Sequence, residues 1–98
     1  MEIKKQKEGT NLTINLAGRL DTTTAPQLDN ELKSVLDGIQ NLVMDFEELE
    51  YISSAGLRVL LGTEKVMKKQ GQMVIRNAND TIMEVFEITG FADILTIE

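Results

Sequence analysis

Apolar positions recur along this chain with two different spacings. From Asn11 to Ala17 they alternate, with Leu12, Ile14 and Leu16 on one side and Thr13 and Asn15 on the other. A period of two predicts a strand buried on one face. From Leu28 onward the spacing changes to three and four, at Leu28, Leu32, Val35, Leu36 and Ile39, with Asp29, Asn30, Lys33 and Asp37 opposite. That period predicts an amphipathic helix. Leu42-Val43-Met44, closed by Asp45, is a short apolar run that reads as a central strand buried on both faces, and Glu47 to Glu50 follow as a loop. The helical spacing returns after Ser54, with Leu57, Leu60, Leu61 and Met67 inward and Glu64, Lys65, Lys68 and Lys69 toward water. Met73-Val74-Ile75 repeats the buried-strand pattern. Thr81 to Thr89 predicts a short helix on Ile82, Val85 and Phe86, and Ile94 to Ile97 a last strand. Met1 to Lys7 is a charged strand suited to a sheet edge.

Punctuation along the chain supports these bounds. Thr24 with Gln27 three residues later fits a capping box, and Pro26 falls in a first turn, where a missing N–H costs little. Gly38, Gly71 and Gly90 are helix stops, and lysines before Gly71 suit the negative end of the helix dipole. Asn77 to Asp80 is a turn and cap. The order is β-β-α-β-α-β-α-β, which predicts an α/β fold. A hairpin leads into parallel strands joined by helices, in one mixed β-sheet with amphipathic helices packed on it. With one Pro and no repeat, linker or low-complexity tract, residues 1–98 read as one domain.

Composition removes whole classes of function. The chain has no Cys and no His, so disulfides, thiolate chemistry, a Ser-His-Asp triad and His-containing zinc sites are excluded, and an enzyme is not expected. No apolar run approaches the roughly 18 residues of a membrane span, and the N-terminal stretch lacks a signal-peptide core, so a cytoplasmic location is expected. A net charge of −6 repels phosphate backbones and anionic lipid, which points away from nucleic acid and membranes and toward a protein partner. No cofactor, metal or small-molecule substrate is expected. The acidic cluster Asp45, Glu47, Glu48 and Glu50 lacks the spacing of a calcium loop and reads as a solvated rim. Gly56 and Gly62-Thr63 lack the spacing and the Lys of a phosphate-binding loop. The five Met residues are scattered core filler.

The candidate chemistry is concentrated in Tyr51-Ile52-Ser53-Ser54-Ala55-Gly56-Leu57. One serine serves as a helix cap; the second is surplus to that need. Ala55 and Gly56 leave the helix start bare. Its N–H groups and dipole favour an anion such as a phosphate, and a Gly in a first turn suits either close approach by another molecule or tight packing on the sheet.

This stretch after the strand Leu42-Val43-Met44-Asp45, together with Gly18-Arg19-Leu20-Asp21-Thr22-Thr23-Thr24-Ala25 and Thr89-Gly90-Phe91, resembles the STAS-domain family of bacterial anti-sigma factor antagonists. The resemblance spans essentially the whole chain in the same element order. It implies a switch. The unmodified protein binds an anti-sigma factor, often a serine kinase, and frees a sigma factor. The kinase phosphorylates the serine two positions before the motif Gly, here Ser54, and a serine phosphatase reverses the mark. It also implies a partner-facing surface of Asp21, Thr22, Thr23, Ser53, Ser54, Ala55, Gly56 and Arg58. Two positions depart from the family. Ser53 stands where an Asp is frequent, which makes it a rival acceptor, and Ala55 where Ser or Thr is frequent. Asp21 also reads as an ordinary turn residue or helix cap, and Arg58 as a solvated surface residue or a partner for a phosphate or an acidic protein. The alternative within the family is a non-switching docking subunit of a transport or other regulatory assembly, with both serines as plain caps.

Overall fold

The computed structural model describes residues 1–98. Its elements are β1 (Glu2–Glu8), β2 (Asn11–Leu20), α1 (Ala25–Val35), β3 (Asn41–Ile52), α2 (Ser54–Gln70), β4 (Gln72–Arg76) and α3 (Asp80–Thr89), with a 3-10 turn at Phe91–Asp93. The strands lie in the order β1-β2-β3-β4. β1 and β2 form an antiparallel hairpin, and β2, β3 and β4 run parallel, so the expected mixed sheet is present. The expected last strand shrinks to one bridge between Ile97 and Ile75. The 3-10 turn, with the Leu95 amide donating to the Phe91 carbonyl, draws Leu95 into the core, so only the final residues reach the β4 edge.

One apolar cluster of 22 side chains forms the core. Leu12, Leu42 and Met73 share one row across β2, β3 and β4, and Ile14, Met44 and Ile75 the next; all are buried. Thr13, Val43, Val74, Asn15 and Asp45, on the opposite face, are only half-buried. The central strands are therefore buried on one face, not on both as their apolar runs suggest. The helices cover a single side of the sheet, which makes this a two-layer fold.

β3 is the largest departure from the expected elements. It continues through Glu47–Glu50, where a loop is predicted. Its register against β2 slips twice, between Asn15 and Ala17 and between Gly18 and Arg19, each time with one extra residue on β3. Each such bulge reverses the alternation beyond it. Phe46, Leu49 and Ile52, three residues apart, thereby all point into the core. The same bulges leave Glu47, Glu48 and Glu50 in water. β2 also runs on to Leu20, beyond the predicted Ala17.

α1 and α2 run parallel. Their first turns adjoin, and near their C-terminal ends the Gln70 amide donates to the carbonyls of Leu36 (2.7 Å) and Ile39 (2.6 Å). Glu64 is not on the water side of α2. It is 7 % exposed, and its Oε2 has no hydrogen-bond partner. Burial raises its pKa above the ordinary 4.5, and Lys68 pulls it part of the way back. A carboxylate whose folded pKa is raised takes up protons on folding, so its penalty is absent below 4.5 and grows as pH rises through the folded value. Glu64→Leu is expected to raise the thermal midpoint at pH 7, with the gain shrinking toward pH 4. Thermal scans across that range check it; a gain that grew on acidification would refute the sign.

Candidate functional site

The carboxyl ends of β2 and β3 lie side by side, joined by the Ser53 amide, which donates to the Leu20 carbonyl at 2.9 Å. Each strand feeds a helix there. This is the end of a parallel sheet at which α/β folds place their ligands.

At the β2 end the chain turns through Asp21–Thr24. Asp21 Oδ1 accepts from the Thr23 amide (3.0 Å), the Thr24 amide (3.2 Å) and the Thr23 hydroxyl (2.7 Å). The Thr24 hydroxyl donates to the Arg19 carbonyl and accepts from the Asp21 amide, both at 2.8 Å. With its oxygen committed to the turn, Thr24 is the residue before α1 but makes no side-chain cap, so the predicted capping box does not form. Asp21 organises the turn instead. The Thr23 hydroxyl above all, then the Thr24 amide, holds its carboxyl below the ordinary 3.8. Asp21 stays ionised at any physiological pH. Its Oδ2 lies 4.0 Å from Arg19 Nε, and the Arg19 guanidinium sits 4.4 Å from the centroid of the Tyr51 ring. Arg19 and Tyr51 are cross-strand partners in the bulged register, which ties the turn to the end of β3. Both stand in the segments singled out from the sequence, but their contact does not follow from it; only the pairing of β2 with β3 brings them together.

At the β3 end the two serines separate in role. Ser53 has extended backbone (φ −100°, ψ 176°), is half-buried, and caps α2 by accepting from the Gly56 amide in a long bond of 3.5 Å. Ser54 is the first residue of α2. Its side chain is exposed and its hydroxyl makes no hydrogen bond within the chain. Gly56 faces inward. A Cβ there would stand 2.7 Å from Leu20 Cγ and 2.9 Å from Ile52 Cγ1, so its smallness serves packing of the turn on the sheet, not approach by another molecule. Thr22, Pro26 and Asp29 face Ala55, Arg58 and Val59 across a shallow groove between the first turns of α1 and α2. Asp21, Thr22, Thr23, Ser53, Ser54, Ala55 and Arg58 thus gather at one end of the molecule, while Gly56 lies beneath them.

A second concavity, lined by Lys4, Gln6, Asn15, Asp45, Glu47 and Glu48 among others, lies on the open face of the sheet, away from both serines. Asp45 Oδ1 is engaged there by the Glu47 amide (3.0 Å) and the Asn77 side-chain amide (3.1 Å).

The family model described as the STAS domain matches residues 2–98. This chain belongs to the STAS-domain family. The anti-sigma-B factor antagonist of Bacillus subtilis is 34% identical over 94 residues, covering 95% of this chain and 85% of that one. The anti-sigma factor antagonist SpoIIAA in its unphosphorylated form superposes with a TM-score of 0.78 at 19% identity, covering 99% of this chain and 87% of that one. The Bacillus cell fate determinant SpoIIAA in the phosphorylated form gives 0.77 at 19% identity, with 99% and 91% covered. These two likenesses concern the fold. Within the STAS frame, the turn at Asp21 and the start of α2 at Ser54 are the two loops that close the same end of the sheet. No helix of the chain is long and apolar enough to cross a membrane.

Proposed function

We propose that this chain is an anti-sigma factor antagonist that acts by binding, not by catalysis, in the cytoplasm. In its unmodified form it binds an anti-sigma factor that is also a serine kinase, and so frees a sigma factor. Phosphorylation of Ser54 ends that binding, and a serine phosphatase restores it. The observation that carries the reading is the unequal state of the two serines: Ser53 is spent as the helix cap, while Ser54 offers an exposed hydroxyl with no partner. The names of the curated relatives support the antagonist role.

The site explains how one mark acts. A phosphate on Ser54 adds about −1.5 to −2 charges at the positive end of α2, where the helix tolerates an anion. The fold persists, and the partner meets a dianion in place of a hydroxyl. The Asp21 turn, already anionic and locked by its threonines, holds the neighbouring part of the surface in one shape.

Incubation with the anti-sigma factor kinases of its own cell and ATP tests the assignment. Ser54→Ala is expected to abolish phosphate incorporation and keep partner binding. Ser53→Ala is expected to keep both, with a modest loss of stability from the missing cap, about 1 kcal/mol. Phosphate mapped by mass spectrometry to Ser53 would overturn the choice of serine. A chain never phosphorylated by any of these kinases, though bound by one of them, would favour the non-switching docking subunit.

A further inference from the structure

In a chain of net charge −6, the exposed side of α2 is basic. Ser54, Arg58, Gly62, Lys65 and Lys69 fall at helical spacing on one solvent-facing row, and all five are exposed. The row runs about 22 Å at 1.5 Å per residue. Elsewhere Lys5, Arg19, Lys33 and Arg76 each lie within 4.0 Å of a carboxylate, and Lys4 and Lys7, which do not, stand on β1 with Glu2 and Glu8, Lys4 sharing a concavity with Asp45, Glu47 and Glu48. On α2 neither Arg58, Lys65 nor Lys69 has such a partner, and the helix's one acid, Glu64, is buried on the other side. α3, by contrast, exposes Asp80, Glu84 and Glu87 and no cation. Three such cations on one helix face, with no acid of that helix among them, make a local positive field in an otherwise acidic chain. Gly62 stands in the middle of this row. A Cβ there would meet nothing within 4 Å, so no packing inside the chain accounts for a residue that weakens a helix interior. Close approach of a second backbone does account for it.

From this basic row we infer that α2 is the docking track for an acidic helical segment of the anti-sigma factor, lying from Ser54 to Lys69 with its backbone nearest Gly62. The inference rests on the function proposed above and extends its footprint about four turns beyond the switch. Charge complementarity selects the occupant. Long polyanions would also meet the acidic remainder of the surface, whereas a short acidic helix meets only the track. The switch then gains a second action. Ser54 and Arg58 are four apart on one face, so a phosphate placed at the head of the track opposes an incoming acidic segment and occupies Arg58.

Association with the anti-sigma factors of the same cell, purified one at a time, is measured at about 50 and about 500 mM salt, where screening lengths differ severalfold. The unmodified chain is expected to bind one of them and to lose more than about tenfold in association rate at the higher salt. The double variant Lys65→Glu/Lys69→Glu, with unchanged circular dichroism, is expected to lose about tenfold in affinity at low salt and little at high salt. Gly62→Ala and Gly62→Gln are both expected to raise the melting temperature and yet weaken binding, Gln more than Ala. A factor that binds the parent, the Lys65→Glu/Lys69→Glu variant and the Gly62→Gln variant equally would overturn the track and leave the Ser54 switch standing. If none of the factors binds the parent, the proposed function falls, and the track with it. Equal binding of anionic phosphatidylglycerol vesicles or of a short RNA, lost in the double variant, would make the row a polyanion site and overturn the choice of occupant.

Discussion

Gly71→Ala is expected to destabilise the fold by about 3 kcal/mol or more, at the upper end of what overpacking a closed site costs. Gly71 ends α2, and its amide donates to the Met67 carbonyl at 2.6 Å. The next amide, of Gln72, donates to the Gln40 carbonyl at 2.9 Å and starts the parallel ladder between β3 and β4. A Cβ on Gly71 would stand 1.8 Å from that same Gln40 oxygen, 2.6 Å from its carbonyl carbon and 2.8 Å from its Cα. All three are backbone atoms, so no change of rotamer relieves the overlap. At φ 174° Gly71 lies outside the left-handed region, and the overlap alone carries the effect. Either β4 moves out of register with β3 or the helix end lifts, and both disturb Met73 and Ile75 in the core. Urea titration of purified protein measures the loss, and accumulation in inclusion bodies while the parent stays soluble reports the same failure. A midpoint equal to that of the parent would show that this junction has room the structure denies it.

The second large effect is on binding. Stoichiometric phosphorylation of Ser54 is expected to weaken the anti-sigma factor complex more than about a hundredfold, or about 3 kcal/mol at about 1.4 kcal/mol per decade. That is within the range seen when a charge is left unpaired in a buried interface. The secondary structure and melting temperature are expected to stay nearly unchanged, because the phosphate sits at the dipole end that favours it and replaces no hydrogen bond of the chain. Isothermal titration of modified and unmodified protein against the same partner, with circular dichroism on both, separates the two quantities. Equal affinities would end the switch, and a lost helical signal would turn it into an unfolding event.

Much of this was legible in the residues, for physical reasons that can be named. Leu12, Ile14 and Leu16 alternate without interruption, and Ile82 and Phe86 sit one turn apart, so β2 and α3 declare themselves. β3 does not. Its buried positions run Leu42, Met44, Phe46, Leu49, Ile52, and the change of interval from two to three is the mark of two bulges that only pairing with β2 reveals. The acids between them look like a loop because bulged residues point to water. Val43 and Val74 mislead in the opposite sense, since apolar side chains on an uncovered face read like core. Glu64 misleads because a carboxylate at helical spacing among lysines reads as surface. At the site, the serines could be named from their motif, but which of them caps depends on whether the first helical turn begins at Ser53 or Ser54. Arg19 and Tyr51 are joined only by a register that composition does not encode.

The bulges of β3 make the placing of Ser54 a matter of length. Between Phe46 and Ser53 the chain serves as a ruler. Its residue count, more than its chemistry, decides where Ser54 stands and which way α2 departs. Glu47, Glu48 and Glu50 touch water, and any polar residue fills such a place. The number of places is the fixed quantity, because losing one would roll Leu49 and Ile52 toward solvent and swing the Ser54 hydroxyl off its end of the molecule. Replacing any of these exposed acids by another polar residue is thus expected to leave Ser54 in place, whereas deleting one is not.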